Sequence, residues 1–114
     1  MTVTHVVLFK FKLGILVGHA KALCANFVGL QYSCLRPTDN RRYILSIKGG
    51  INNSPEGLQD GITHGFVVEF ASAEDRDYYV DKDPSHKAFV KSIEGLVEKV
   101  VVVDFSEGVY SNSI

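Results

Sequence analysis

Strand and helix patterns in the order βαββαβ predict an α+β domain: a ferredoxin-like (split βαβ) antiparallel sheet with its helices on one face. Three observations lead there. Four segments have strand character, over residues 2–12, 43–48, 63–70 and 99–105. Helical spacing falls between the first and second of these and again between the third and fourth. The chain has 114 residues, 46% of them hydrophobic, which suits one domain and leaves little room for a second.

The first strand, residues 2–12, places Val3, His5, Val7, Phe9 and Phe11 on one side and Val6 and Leu8 on the other. Both sides are largely apolar, so the strand is expected to be covered on both. Residues 19–30 bring Leu23, Phe27 and Leu30 onto one helix face, with Gly14 and Gly18 near the start. Tyr32 to Asn40 is turn-rich, and Tyr43 to Lys48 reads as a short strand. Gly49 to Gly61 reads as a long loop; no helix and no Lys-Ser/Thr follows Gly49-Gly50, which argues against a phosphate-binding loop.

Thr63 to Phe70 is a strand with His64, Phe66, Val68 and Phe70 on one face. Ser72 and Asp75 form a capping-box pattern that opens a helix through Tyr79 or Val80. Asp83-Pro84 restarts a helix, Asp83 as N-cap and Pro84 at its first position, with an apolar stripe of Phe89, Val90, Ile93, Leu96 and Val97. Lys99 to Phe105 contains four consecutive valines and is expected to be buried on both faces. Residues 107–114 read as a tail. If the helices cover one face of the sheet, the other is expected to carry His5, Phe9, His64, Phe66 and several valines, an apolar surface that calls for a second copy of the chain.

Composition excludes several classes. Twelve Lys and Arg against thirteen Asp and Glu give a net charge of −1, without the positive cluster that phosphate binding requires, so no nucleic-acid partner is expected. Residues 1–50 hold seven basic residues and one acid, residues 51–114 five basic and twelve acidic, and the halves are expected to interleave and compensate. No twenty-residue apolar run exists, so no membrane span is expected. Cys24 and Cys34 lack C-x-x-C spacing and no secretory signal is recognisable, which predicts a reduced, cytoplasmic protein with two free thiols.

Four histidines, His5, His19, His64 and His86, are the first candidates for chemistry, because an imidazole can take or give a proton near neutral pH. His5 and His64 lie on strands and His86 in the first turn of the last helix. Tyr78 and Tyr79 precede it and could donate to a carbonyl or enolate oxygen. Each of these side chains could equally be packed in the core. No H-x-x-x-H pair supports a metal, and no Gly-x-Ser-x-Gly or paired cysteine supports a nucleophile; neither metal nor cofactor is expected.

Three segments carry a wider likeness: Val3-Thr4-His5-Val6-Val7-Leu8-Phe9-Lys10-Phe11-Lys12, Thr63-His64-Gly65-Phe66-Val67-Val68-Glu69-Phe70 and Asp83-Pro84-Ser85-His86-Lys87-Ala88-Phe89, with Val101-Val102-Val103-Asp104-Phe105 closing the chain. In their order and spacing the chain resembles the stress-responsive dimeric α/β-barrel (Dabb) family, over about residues 2–106. The resemblance implies a Dabb domain over residues 1–106, followed by the tail, and a homodimer whose two sheets form a shared barrel. The family is mixed in function. It includes stress proteins and a plant polyketide cyclase that closes a linear tetraketide by aldol condensation without metal or organic cofactor.

The cyclase uses a tyrosine on its penultimate helix and a histidine in His-Pro-x-His. Transferred to this chain, the histidine falls on His86, the tyrosine on Tyr78 or Tyr79, and the strand histidines of the pocket on His5 and His64. Two departures stand out. Asp83 replaces the histidine before Pro84, and four residues separate Tyr78 from Asp83, more than in the cyclase. A helix turns about 100° per residue, so a longer spacer re-aims a phenol.

The resulting expectation is a cofactor-independent acid–base catalyst of cyclase or lyase type on a hydrophobic, polyketide-like oxo compound. His86 would be the base, Tyr79 or Tyr78 would hold the enolate oxygen, and His5 and His64 would orient the substrate. The pocket is expected between sheet and helices, lined by Phe9, Phe66 and Phe89. The competing expectation is a non-catalytic stress-response or small-molecule-binding protein on the same dimer. A cofactor-free monooxygenase would share the architecture but lacks the motifs.

Overall fold

The computed structural model describes residues 1–112. Its elements are β1 (Val3–Phe11), α1 (Val17–Ser33), β2 (Ile44–Ile51), β3 (His64–Phe70), α2 (Ala73–Asp81), α3 (Pro84–Ile93) and β4 (Val97–Phe105). They form a four-stranded antiparallel sheet in the order β2-β3-β1-β4 with three helices: an α+β, ferredoxin-like fold. Residues 107–112 contain neither helix nor strand, and the rest of the expected tail lies outside the described residues.

The strand alternation places Val3, His5, Val7, Phe9 and Phe11 toward the helices, all buried. Opposite them on β3 lie Phe70, Val68 and Phe66, which the antiparallel register sets on the same face. Phe27 of α1 stacks on Phe66 with ring centroids 4.4 Å apart, and Phe9 and Phe89 complete the aromatic centre. The expectation that His5, Phe9, His64 and Phe66 share the face turned away from the helices is therefore overturned. That open face carries Val6, Leu8, Val67, Val101 and Val103 instead. Strand period alone separates the two faces without saying which of them a helix covers.

Three further expectations are corrected. Helix α1 runs three residues past Leu30 and starts at Val17, before His19, with Gly18 inside its first turn. Strand β2 runs on through Gly49 and Gly50, which read as loop. Gly49 stands opposite Phe66, and a Cβ there would overlap the Phe66 ring, so the glycine makes room for the aromatic centre. Helix α3 ends at Ile93, so Leu96 and Val97 lie beyond it.

Strand β4 is not buried on both faces. It lies at the sheet edge, and Val100, Val102, Val103 and Phe105 are 49%, 52%, 55% and 48% exposed. The two oppositely charged halves do interleave: Lys10 pairs with Glu98 at 3.0 Å and Arg36 with Asp75 at 3.3 Å.

Both short helices start as their caps dictate. The Ser72 hydroxyl accepts from the Asp75 N–H at 3.1 Å. Asp83 accepts from the Ser85 and His86 N–H groups, and its second oxygen accepts from the Tyr43 hydroxyl. Asp83 is buried, with Cys34 beside it; burial, and then the Asp83 charge, push the Cys34 thiol up to about 12. This cluster ties the start of α3 to the entry of β2 and so fixes where His86 begins.

Candidate active site

Helix α1 packs on β2 and reaches β3 through Phe27 and Phe66, and α2 packs on β1 and β3. A cavity of about 580 Å³ remains between β1 and β4 on one side and α2 and α3 on the other. Its walls are mainly apolar, from Val7, Phe9, Phe89, Ile93, Val100 and Val102, and its polar groups are His5, Tyr79, His86, Asp104 and Arg76, with Asp77 and Asp81 also along it. A mostly apolar cavity with a few convergent polar groups is the usual form of a small-molecule site.

His86 is held by its own chain. Its Nδ1 lies 2.8 Å from the Tyr79 carbonyl oxygen. A carbonyl only accepts, so Nδ1 carries the proton and the neutral ring keeps its lone pair on Nε2. Burial, the largest influence, lowers the His86 pKa; the Tyr79 carbonyl and Asp83 act against it, and the charge of His5 adds to it. The ring stacks on Tyr79 with centroids 3.9 Å apart and planes 26° apart.

Tyr79 is 0% exposed, and its hydroxyl is the buried side-chain polar atom without a hydrogen-bond partner among the described residues. Leaving such a group unpaired costs about 1–3 kcal/mol, so it calls for a reason. Burial first, then the proximity of Cys34 and Asp83, raise its pKa, so the phenol keeps its proton and remains a donor.

His5 stands at 5.9 Å from Tyr79, centroid to centroid and near edge-on. Its Nδ1 donates to Asp104 Oδ1 at 2.6 Å, and the other Asp104 oxygen accepts from Arg76 at 2.8 Å. Asp104 is the cross-strand partner of His5, so the β1–β4 register builds this carboxylate–imidazole pair.

The structure brings His5, Tyr79, His86, Phe9 and Phe89 to one cavity. It does not bring the remaining candidates there. Tyr78, one position round the helix, packs edge-on against Tyr43 at 5.5 Å. Phe66 lies beneath the cavity against Phe27. His64 lines a different cavity near the start of α1, with Nδ1 2.9 Å from the Thr63 hydroxyl. Asp104 and Arg76 were not singled out from sequence. Asp104 ends a valine run, and its role shows only in its register opposite His5; Arg76 left no signal. No group of three His, Cys, Asp or Glu side chains positioned to hold a metal occurs among the described residues, nor does any helix there have the length and apolar character to cross a membrane.

The model of the stress responsive A/B barrel domain matches residues 3–107. The chain belongs to the Dabb family. Among solved structures, this Dabb chain superposes on an Arabidopsis thaliana protein with a TM-score of 0.82 and 28% identity, covering 96% of this chain and 98% of that one. It also matches a hydroxynitrile lyase from Passiflora edulis (TM-score 0.78, 24% identity, 91% of each chain). A dimeric protein of unknown function and ferredoxin-like fold from Bacteroides fragilis matches with a TM-score of 0.66 and 24% identity over 92% of this chain and 95% of that one. No curated protein matches the sequence. The expected Dabb membership and ferredoxin-like fold both hold.

Proposed function

We propose that this Dabb protein is a homodimer whose cavity binds a hydrophobic oxo compound and moves a proton on it without a cofactor, as a cyclase or lyase does. The observation that carries the reading is the pairing, in one apolar cavity, of a neutral imidazole with a fixed tautomer and a buried phenol with no partner. His86 takes a proton alpha to the substrate carbonyl on Nε2. The Tyr79 hydroxyl donates to the enolate oxygen that forms, gaining the hydrogen bond it lacks. His5, held by Asp104, orients the substrate and serves in returning the proton. Phe9 and Phe89 supply the apolar walls.

The dimer half of the proposal rests on the open face. Val6, Leu8, Val67, Val101 and Val103 form a contiguous apolar surface on the side without helices, and dimeric neighbours with this fold support covering it with a second copy. The Passiflora neighbour is a lyase, and at 24% identity that likeness carries the fold alone. The alternative, a binder without turnover, would keep the cavity and lose the proton transfer.

Hydrogen–deuterium exchange alpha to the carbonyl of 2-nonanone in D2O, followed by NMR, tests the chemistry. The protein should accelerate exchange, and His86→Ala and Tyr79→Phe should each lower the rate by about 10²-fold or more. Binding of the ketone with no acceleration supports the binder instead. Light scattering should give twice the 12.6 kDa chain mass.

A further inference from the structure

A second cavity, of about 590 Å³, lies between the first turns of α1 and the ends of β1 and β2. Its wall is apolar, built by Phe11, Ile15, Val17, Ala20 and Ile51, and its size is that of a small-molecule site. At its mouth Leu13 is 100% exposed, and Val17 and Ile51 are each 71% exposed, apolar surface left facing water. Phe11, His64 and Ile51 point to the helix-bearing side of the sheet, so a dimer built on the open face leaves this cavity free.

The charge around it has one sign. Lys12 and Lys21 border the cavity, and no Asp or Glu does. Lys10 and Lys99 have carboxylate partners, Glu98 and Asp60, whereas Lys12 and Lys21 have none among the described residues. The adjoining end of α1 adds partial positive charge, because Leu16 offers no capping side chain and the first turn contains no acid.

We propose that this cavity binds a single-chain anionic amphiphile, a carboxylate with a tail of about ten carbons, the tail filling the apolar wall and the head held between Lys12 and Lys21. An apolar wall with two cations beside it, neither paired with a carboxylate among the described residues, matches that ligand at both ends. Cys24 lines the same cavity and Cys34 is fully buried, so Cys24 is a built-in reporter of occupancy.

Calorimetric titration of the full chain with decanoate should show saturable binding, and decyltrimethylammonium, with the same tail and the opposite charge, should not bind. The double substitution Lys12→Glu/Lys21→Glu, on exposed positions and with its fold checked by circular dichroism, should weaken decanoate about tenfold or more. Decanoate should slow iodoacetamide alkylation of Cys24, and His86→Ala should leave its binding unchanged. Equal binding of both amphiphiles, undiminished binding by the charge-reversed chain, or loss of binding in His86→Ala overturns the proposal. So does attachment to phosphatidylcholine/phosphatidylglycerol vesicles without decanoate binding, which would make the rim a membrane contact.

Discussion

Phe66 and Val68 of β3 and Val100 and Val102 of β4 face the same side of one sheet, and their environments are opposite. The β3 pair is 1% and 0% exposed, while the β4 pair is 49% and 52% exposed. The difference is the reach of the helical layer. Helix α1 lies across β2 and packs Phe27 on Phe66, whereas a cavity separates β4 from α2 and α3. The covered side supplies stability and the uncovered side supplies a cavity, with β1 as the shared wall: Phe11 belongs to the first, His5 to the second and Phe9 to both.

The sharpest way to break this contrast is to truncate both sides. Phe66→Ala should cost about 3–5 kcal/mol, and Val102→Ala, on the same face, less than about 1 kcal/mol, measured by urea unfolding at a fixed protein concentration. Similar losses at the two positions would mean that the helical layer extends over β4 in solution.

Asp83 links the two sides, and Asp83→Ala removes the N-cap of α3 and orphans the Tyr43 hydroxyl. We expect a loss of about 2–4 kcal/mol in the same assay. A loss below about 1 kcal/mol would show that α3, and with it His86, is anchored by packing alone.

Tyr79→Phe separates stability from function on the uncovered side. It deletes a buried hydroxyl without a partner, so unfolding should be unchanged or harder by up to about 1 kcal/mol, even as ketone exchange falls. A clear loss of stability would reveal a partner for that hydroxyl.

The smallest expected effect concerns pH. Burial lowers the pKa of both His86 and His64, so the unfolded chain takes up these protons first as pH falls below about 6.5. Their contribution to stability is complete above that pH and is lost on acidification through the window below it. Urea midpoints at pH 7.5 and 5.5 should show the drop, and His86→Asn and His64→Asn should each reduce it. A midpoint that rises on acidification would contradict the neutral assignment.

What could be read before folding depended on whether the signal was local. The N-caps at Ser72 and Asp83, and the alternation of β1 and β3, are short-range patterns, and the structure follows them. The Val100–Val103 run could not announce its exposure, because four valines describe a strand and not the layers above and below it. Gly49-Gly50 looked like a loop, and the reason for Gly49 lies across the sheet in Phe66. The same limit governs the site. Tyr78 and Tyr79 differ by one step on a helix, and only packing shows that Tyr79 turns to the cavity while Tyr78 meets Tyr43. Asp104 becomes meaningful only through its register with His5.

The central place of β1 has a bearing on how the chain is made. It pairs with β3 and β4, so each of its hydrogen-bonded neighbours is synthesised dozens of residues later. During translation this apolar segment leaves the ribosome before either partner exists, and the sheet closes only after Phe105 has emerged. Long-range pairing of this kind folds slowly and leaves strand edges open to other chains. The nascent chain thus has a built-in interval in which β1 is exposed and unpaired, set by topology and not by any single residue.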